Sequence, residues 1–404
     1  MPPPETLKAA WVTAPASRAV MGALNAARPG SARFVGGCVR NALRGIPADD
    51  VDIATQLTPE AVVAALNAAG VRAIPTGIEH GTVTAVHDSV PVEITTLRRD
   101  VETDGRRAVV AFTEDWAEDA ARRDFRLNAI YAGAGGELFE VIPDSVSDAV
   151  AGRVIFIGDG DQRLREDYLR ILRFYRFNAW YGAGIDAEGQ AACARQKSGL
   201  AKIAAERKWK ELKRTLAAPD PSAALLAMEE AGVLEVVLAA ANPALLPALI
   251  AAEAGAGLAP DPMRRLMALI PRRLSDAGGV ASAMKFSNEE SARLAAWADP
   301  ALPHVLGAAE LGIHEAMYRF GPAATLDRAV IEAASGAAGD LAALARLAAD
   351  WQRPKFPVGG SDALAAGLAG PAVGAALGAL EEAWIASGFT LSRSALVARL
   401  RAPG

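Results

Sequence analysis

The stretch RFVGGCVRNALRGIPADDVDIAT, residues 33–55, sets two glycines beside a basic helical run and then two aspartates one residue apart at the start of an apolar strand. ARFV (32–35) and VDIAT (51–55) read as strands, and residues 37–44 between them as a helix. Glycine at a strand-to-helix bend lets the backbone approach a ligand closely, and the free N–H groups of a helix start attract phosphate. Gly36 and Gly37 occupy that bend, and Arg40 adds a cation one turn on. Asp50 and Asp52 stand at i and i+2, a spacing that puts both carboxylates on one face of an extended chain. Hard oxygen ligands so placed suit Mg²⁺, which takes one or two carboxylates and fills its shell with substrate phosphates. The order predicts a triphosphate on the glycine bend and a metal on the aspartates, both at one sheet edge.

Working outward, HGTVTAV (80–86) and VPVEITTL (90–97) flank HDSV and read as an antiparallel hairpin. Within the second strand Glu93 alternates with Val92 and Ile94, so it points away from the core and toward Asp50 and Asp52 if the strands are neighbours. Thr58 is placed to cap a helix over 58–69. Residues 31–131 hold most of the strand signal, and beyond about 161 it vanishes. Residues 161–182 and 197–217 read as charged amphipathic helices, and 221–350 as alanine-rich helices punctuated by Pro and Gly. A break at WQRPKFPVGG (351–360) precedes a last helical unit ending near 401. The expected fold class is α+β: a small mixed-sheet head over 1–147, a helical neck over 148–217 and a helical body and tail over 218–404.

The 404 residues exceed the usual single-domain range, and a 51% apolar content is enough for a real core. A net charge of −5 argues against general coating of nucleic acid and leaves local basic surfaces open. Cys38 and Cys193, far apart, form no metal cluster and suggest a reducing compartment. The start MPPPETLKAAWVTAPAS lacks the charge-then-apolar order of a secretory signal, and no apolar run has membrane length, so the chain reads as cytoplasmic. His87-Asp88 spells the metal-phosphohydrolase pair, but with four histidines in the whole chain and a place in a hairpin turn it reads as structural.

GGCVRNALRG and DVDIAT together resemble the signature of the class II tRNA nucleotidyltransferases, a family that includes CCA-adding enzymes and bacterial poly(A) polymerases and has a polymerase β-like head. The resemblance implies that Asp50 and Asp52 hold the catalytic metal ions and that Glu93 matches a third acid seen in some members. ARRDFRLNAIYA (121–132) is similar to the family's RRDFTxNA segment, which implies nucleotide contacts for Arg123 and Asn128; Arg126 stands where the family usually has Thr. REDYLRILRFYRF (165–177) resembles the EDxxR segment that reads the incoming base, so Asp167 and Arg170, expected at i and i+3 of one helix, would be the template, with Arg173 and Arg176 on the same ridge. KIAAERKWKELKR (202–214) carries six basic residues against two acidic ones and reads either as a phosphate-facing helix of the family's neck or as a surface helix laced with ion pairs. The usual Asp-Pro and Gly-Gly pattern is missing from VIPDSVSDAVAGRVIFIG (141–158), before the aspartate aligned with Asp148. FPVGGSDALAAGLAGPAVGAALGALEEAWIASG (356–388) resembles the C-terminal segment of short bacterial members.

The activity implied is template-independent addition of C, C and A to a tRNA 3′ end from CTP and ATP with Mg²⁺, without an obligate protein partner. The alternatives are a poly(A) polymerase, an enzyme adding only CC or only A, and an inactive RNA-binding relative. The close RLRAPG, with no basic extension, points to tRNA.

Overall fold

The computed structural model describes residues 5–48, 50–104 and 107–401, with the backbone alone at 100–104, 107–110 and 401. The opening MPPP and the closing APG therefore lie outside the described residues. By packing, the chain divides into two units, Met1–Ala239 and Ala240–Gly404.

In the first unit the expected strands form: β1 is Ala32–Val35 and β2 is Asp52–Thr55. They are joined by β3 (Arg72–Gly77), β4 (Thr82–His87), β5 (Val90–Thr96), β6 (Arg98–Asp104), β7 (Arg107–Phe112), β8 (Ile130–Ala132) and β9 (Leu138–Glu140). Seven strands make one sheet in the order β3-β4-β5-β2-β1-β8-β9, and β6 pairs with β7 in a separate ribbon. Only β2 and β5 run parallel within the seven; the other neighbours are antiparallel. The expected hairpin is β4–β5, and its two turn residues, Asp88 and Ser89, both have positive φ, the geometry that matches strand twist. His87 and Asp88 sit at that turn with 3.5 Å between Nε2 and Oδ2.

Strand alternation decides which face is core. Phe34, Ile53, Ile94, Val92, Val83 and Ala85 are registered across β1, β2, β5 and β4 and are all buried. The helix Pro15–Ala27 packs on β1, β4 and β5, and Pro59–Ala68 lies beside it on β3 and β4. Their buried Val20, Met21, Leu24, Val62 and Leu66 complete the layer, each large side chain contributing about 1.5–3 kcal/mol of burial. Thr58 caps the second helix by accepting from the Ala61 N–H, as expected. The opposite face carries Asp52 and Glu93.

The charged segment 161–182 is two helices rather than one: Gly160–Glu166 and Leu169–Tyr181, with Asp167 extended between them (φ −151°). Asp167 and Arg170 therefore do not share one helix face: Asp167 lies between the two helices, and its carboxylate accepts the N–H of Leu169, the first residue of the second, at 3.0 Å. The segment 197–217 opens as a 3₁₀ turn, Lys197–Lys202, before the helix Ala205–Leu216. Asp148 is buried against Arg153 (Nε to Oδ1, 2.7 Å), and Arg126, which stands where the family usually has Thr, lies 3.8 Å from its other oxygen.

The second unit is helical throughout its described length, from Pro243–Leu245 to Arg393–Arg401, with the expected break before Gly360–Ala365. An aromatic core of Tyr318, Trp384, Phe356 and Phe389 closes its C-terminal part.

Candidate active site

The parallel pairing of β2 and β5 sets Asp52 directly opposite Glu93 on the face away from the helices. Asp50 precedes the strand and is exposed, so strand periodicity does not fix it. Its field nevertheless reaches Asp52. Burial pushes the Asp52 carboxyl up to about 6, Glu93 and Asp50 push the same way, and Arg123 opposes them. Acids crowded in this way are relieved by a cation. Among the described residues no three His, Cys, Asp or Glu side chains close into a metal-holding cluster. The donor set is instead one or two carboxylates with room for phosphate oxygens, the arrangement that suits Mg²⁺-type ions.

Gly36 sits at φ +71°, ψ −118°, a backbone state that side chains rarely adopt, and it is there that β1 bends into the helix Gly37–Leu43. That helix has only seven residues, so its dipole is short, and the positive field comes mainly from side chains. Arg40 is buried. Its guanidinium donates to Asn128 Oδ1 (2.5 Å), Asn41 Oδ1 (2.9 Å) and the Tyr181 hydroxyl (2.9 Å), and lies 4.0 Å from the Tyr181 ring centre. Burial lowers its pKa, offset by Tyr181 and Asp124.

A cavity of about 580 Å³ gathers part of this set. Gly36, Gly37, Arg40, Asp52, Arg123 and Asn128 line it from the head segment, and Asp167, Arg170 and Arg173 from the neck segment. Among the described residues lining it, seven are arginines and three are aspartates, a surplus of four positive charges. That surplus matches a triphosphate, whose oxygens the planar guanidinium of arginine recognises well, often two at a time. Asp50, Glu93 and Arg176 are not in the lining. Arg176 is drawn instead to Glu211 at 2.6 Å and stacks on Phe177, because Glu211 on Ala205–Leu216 offers a buried carboxylate.

Three successive residues fasten the two segments. The Arg122 carbonyl accepts from Arg170 (3.4 Å), the Arg123 carbonyl from Arg163 (2.6 Å), and the Asp124 carboxylate from Arg173 (2.5 Å). Asp124 also accepts from Asn128 at 2.9 Å, so a continuous chain runs Tyr181–Arg40–Asn128–Asp124–Arg173. Behind it, buried Asp119 takes Arg122, Arg123 and the Tyr131 hydroxyl at 2.7–3.0 Å and aims both arginines at the cavity.

Sequence reasoning missed Arg98, Arg122, Asp124, Leu169, Phe177 and Arg207 in the lining. The tripeptide Arg-Arg-Asp occurs at both 98–100 and 122–124, a repeated signal that pointed to Arg98, Arg122 and Asp124. Arg207 lies in the basic run 202–214, but nothing local marked its partner, Asp167, forty positions away.

Residues 32–154 match the poly A polymerase head domain, and residues 184–248 match the probable RNA and SrmB-binding site of polymerase A. The mitochondrial CCA tRNA nucleotidyltransferase 1 of Mus musculus is 33% identical over 393 residues, covering 91% of this chain and 86% of that one. The CCA-adding enzyme of Geobacillus thermodenitrificans is 37% identical over 205 residues, covering 50% of this chain and 49% of that one. Among solved structures, the CCA-adding enzyme of Bacillus stearothermophilus in complex with CTP superposes with a TM-score of 0.73 at 25% identity, over 96% of this chain and 97% of that one. With the mouse relative aligned along nearly the whole chain and the head model covering the acidic strand and glycine bend, this chain belongs to the CCA tRNA nucleotidyltransferase family.

Proposed function

We infer that the protein adds C, C and A in succession to the 3′ end of tRNA, taking CTP and ATP as substrates and reading no nucleic-acid template. The observation that carries this reading is the single cavity in which the glycine bend, Asp52 and the Asp167/Arg170 pair all face inward. The arginine surplus holds and orients the triphosphate, with Arg123 and Arg173 anchored by Asp119 and Asp124. Asp50 and Asp52 are the residues that would hold Mg²⁺, with Glu93 beside them. Bound there, the ion would supply Lewis-acid polarisation of the α-phosphate and stabilise the leaving pyrophosphate.

Base choice follows from hydrogen-bond chemistry. Cytosine and adenine present an exocyclic amine that Asp167 can accept, beside a ring nitrogen to which Arg170 can donate. Uracil and guanine place a carbonyl before the carboxylate and leave both groups unsatisfied. Residues 1–147 would act as the catalytic head, 148–217 as the base-reading neck and 218–404 as the tRNA-binding body and tail. A cytoplasmic setting would keep the two buried thiols, Cys38 and Cys193, reduced; no helix among the described residues is long and apolar enough to cross a membrane.

Incubating the purified protein with tRNA lacking its terminal CCA, and with each nucleoside triphosphate alone and in combination, tests the reading. The expected product carries two C residues from CTP alone and a final A when ATP is added. Repeated incorporation of A from ATP alone would overturn it in favour of a poly(A) polymerase.

A further inference from the structure

We propose that Arg207 is a positioning residue for base selection: it holds the Asp167 carboxylate apart from Arg170 and so keeps both reading groups available to the base. The inference rests on the base-reading role assigned above to Asp167 and Arg170.

The geometry of the turn raises the problem that Arg207 solves. The Arg170 N–H donates to the Asp167 carbonyl at 3.0 Å, so the two side chains start from one tight turn. A carboxylate and a guanidinium that close together tend to form a charge-assisted, often bidentate pair. Such a pair would present the base with two groups already satisfied by each other. In the structure each is held by a different partner. Arg170 donates to Glu166 Oε2 at 2.6 Å and to the Arg163 carbonyl at 2.8 Å. Asp167 accepts the Leu169 N–H on Oδ1 at 3.0 Å and Arg207 on Oδ2 at 2.9 Å. The Leu169 bond fixes one oxygen only, and the carboxylate can still turn about it. Arg207 supplies the second point, which fixes the plane.

A carboxylate offers about four lone-pair sites, so two donors leave sites for an exocyclic amine. Arg207 lines the same cavity as Asp167, and both are partly open to it, with side chains 37% and 28% exposed. Arg207 stands near the start of the helix Ala205–Leu216, whose Trp209, Leu212 and Leu216 are buried. The guanidinium is thus carried on a packed element and reaches a residue at the loose junction of two others.

The test uses the full chain, on tRNA lacking CCA, with kcat/KM measured for CTP against UTP and for ATP against GTP. Arg207→Ala is expected to reduce the preference for C over U by about tenfold, the scale of one charge-assisted hydrogen bond, with the KM for tRNA little moved. Arg207→Lys should retain most of the preference, and it stands in if the alanine variant does not fold, with Arg207→Gln then giving the loss. In an Asp167→Ala background, removal of Arg207 should cost no further preference, since it acts through that carboxylate. Unchanged preference with a raised KM for tRNA or for triphosphate would make Arg207 a phosphate contact and overturn the proposal. Additive losses in the double variant would do the same. A wild-type protein that incorporates no nucleotide would remove the functional reading itself, whereas an active wild type whose Arg207→Ala form keeps its preference removes this inference alone.

Discussion

The two units each gather arginines and carboxylates, and the difference lies in what they leave over. In the second unit Arg264, Arg265 and Arg293 meet Glu253, Asp261 and Asp327, three charges against three. Arg264 bridges Glu253 and Asp327, both buried, at 3.1 and 3.0 Å, and Arg293 ties Asp327 to Asp261 at 2.8 Å. Each guanidinium there is answered by a carboxylate. In the first unit the described lining of the cavity carries seven arginines to three aspartates, and when Asp119 behind Arg122 and Arg123 and Glu166 beside Arg170 are counted too, an excess of two positive charges remains. Balanced and sealed charge is scaffold, while surplus charge around a space is a receptor for an anion. Ion pairs occur at both sites, so their presence alone does not tell the two apart. The balance separates them.

The comparison breaks hardest at its acidic edge. Asp52→Ala is expected to cut nucleotide incorporation roughly 10⁴-fold, through loss of several kcal/mol of charge stabilisation, while binding of tRNA in a gel-shift assay is retained. The same change relieves crowding with Glu93 and Asp50, so the melting temperature should hold or rise. Incorporation at the wild-type rate would show that the aspartate has no part in the chemistry. Glu253→Ala probes the sealed network and should do the reverse. Removing the buried carboxylate that Arg264 and Arg265 share is expected to cost about 3–5 kcal/mol of stability, read as a lower denaturation midpoint. A midpoint close to wild type would mean that water or relaxation replaces the carboxylate easily, and the scaffold reading would go.

Arg170→Ala sharpens the receptor side. The loss of one donor to the base is expected to reduce discrimination between CTP and UTP by about ten- to a hundredfold, with a smaller change in triphosphate KM. Preserved discrimination in that variant would remove the template from Asp167 and Arg170 altogether.

How much of this was legible before the structure depends on the range of the interaction. The facing of Asp52 and Glu93 could be read because strand alternation is a local rule and their neighbours Ile53, Val92 and Ile94 are strongly apolar. β3 (RAIPTG) was hidden by its Pro and Gly, which the sheet tolerates because β3 is an edge strand with an irregular register. The ribbon β6–β7 begins RRDVETD, too polar to signal a strand by periodicity. Residues 10–27, a helix of four residues and one of thirteen, carried no side-chain cap to announce them. Asp167 was identifiable by type, yet the break it makes was not, since continuous helical periodicity runs on either side of a carboxylate that caps its own neighbour. The arginine surplus was least visible of all. A chain of net charge −5 conceals a local excess that only folding assembles from residues 40 to 207.

The smallest expected effect is a dependence on pH that the receptor's supports should show. Burial would raise the carboxyl groups of Asp119 and Asp124, but Arg123 and Arg122 beside the first, and Arg173 with Asn128 beside the second, hold both below the ordinary aspartate value. A depressed folded pKa means that the unfolded chain binds protons first as pH falls. The stability these groups give is therefore complete above the unfolded value of about 4, and it is lost as pH drops through the folded one. Asp119→Asn should accordingly be less stable than wild type at pH 7, and the gap should narrow below about pH 4 as the wild-type carboxylate takes up its proton. Thermal melts of both proteins from pH 7 downward measure it. A gap that stays constant with pH would mean that Asp119 orders Arg122, Arg123 and Tyr131 by shape and hydrogen bonding alone, and that its charge contributes nothing to aiming the two arginines.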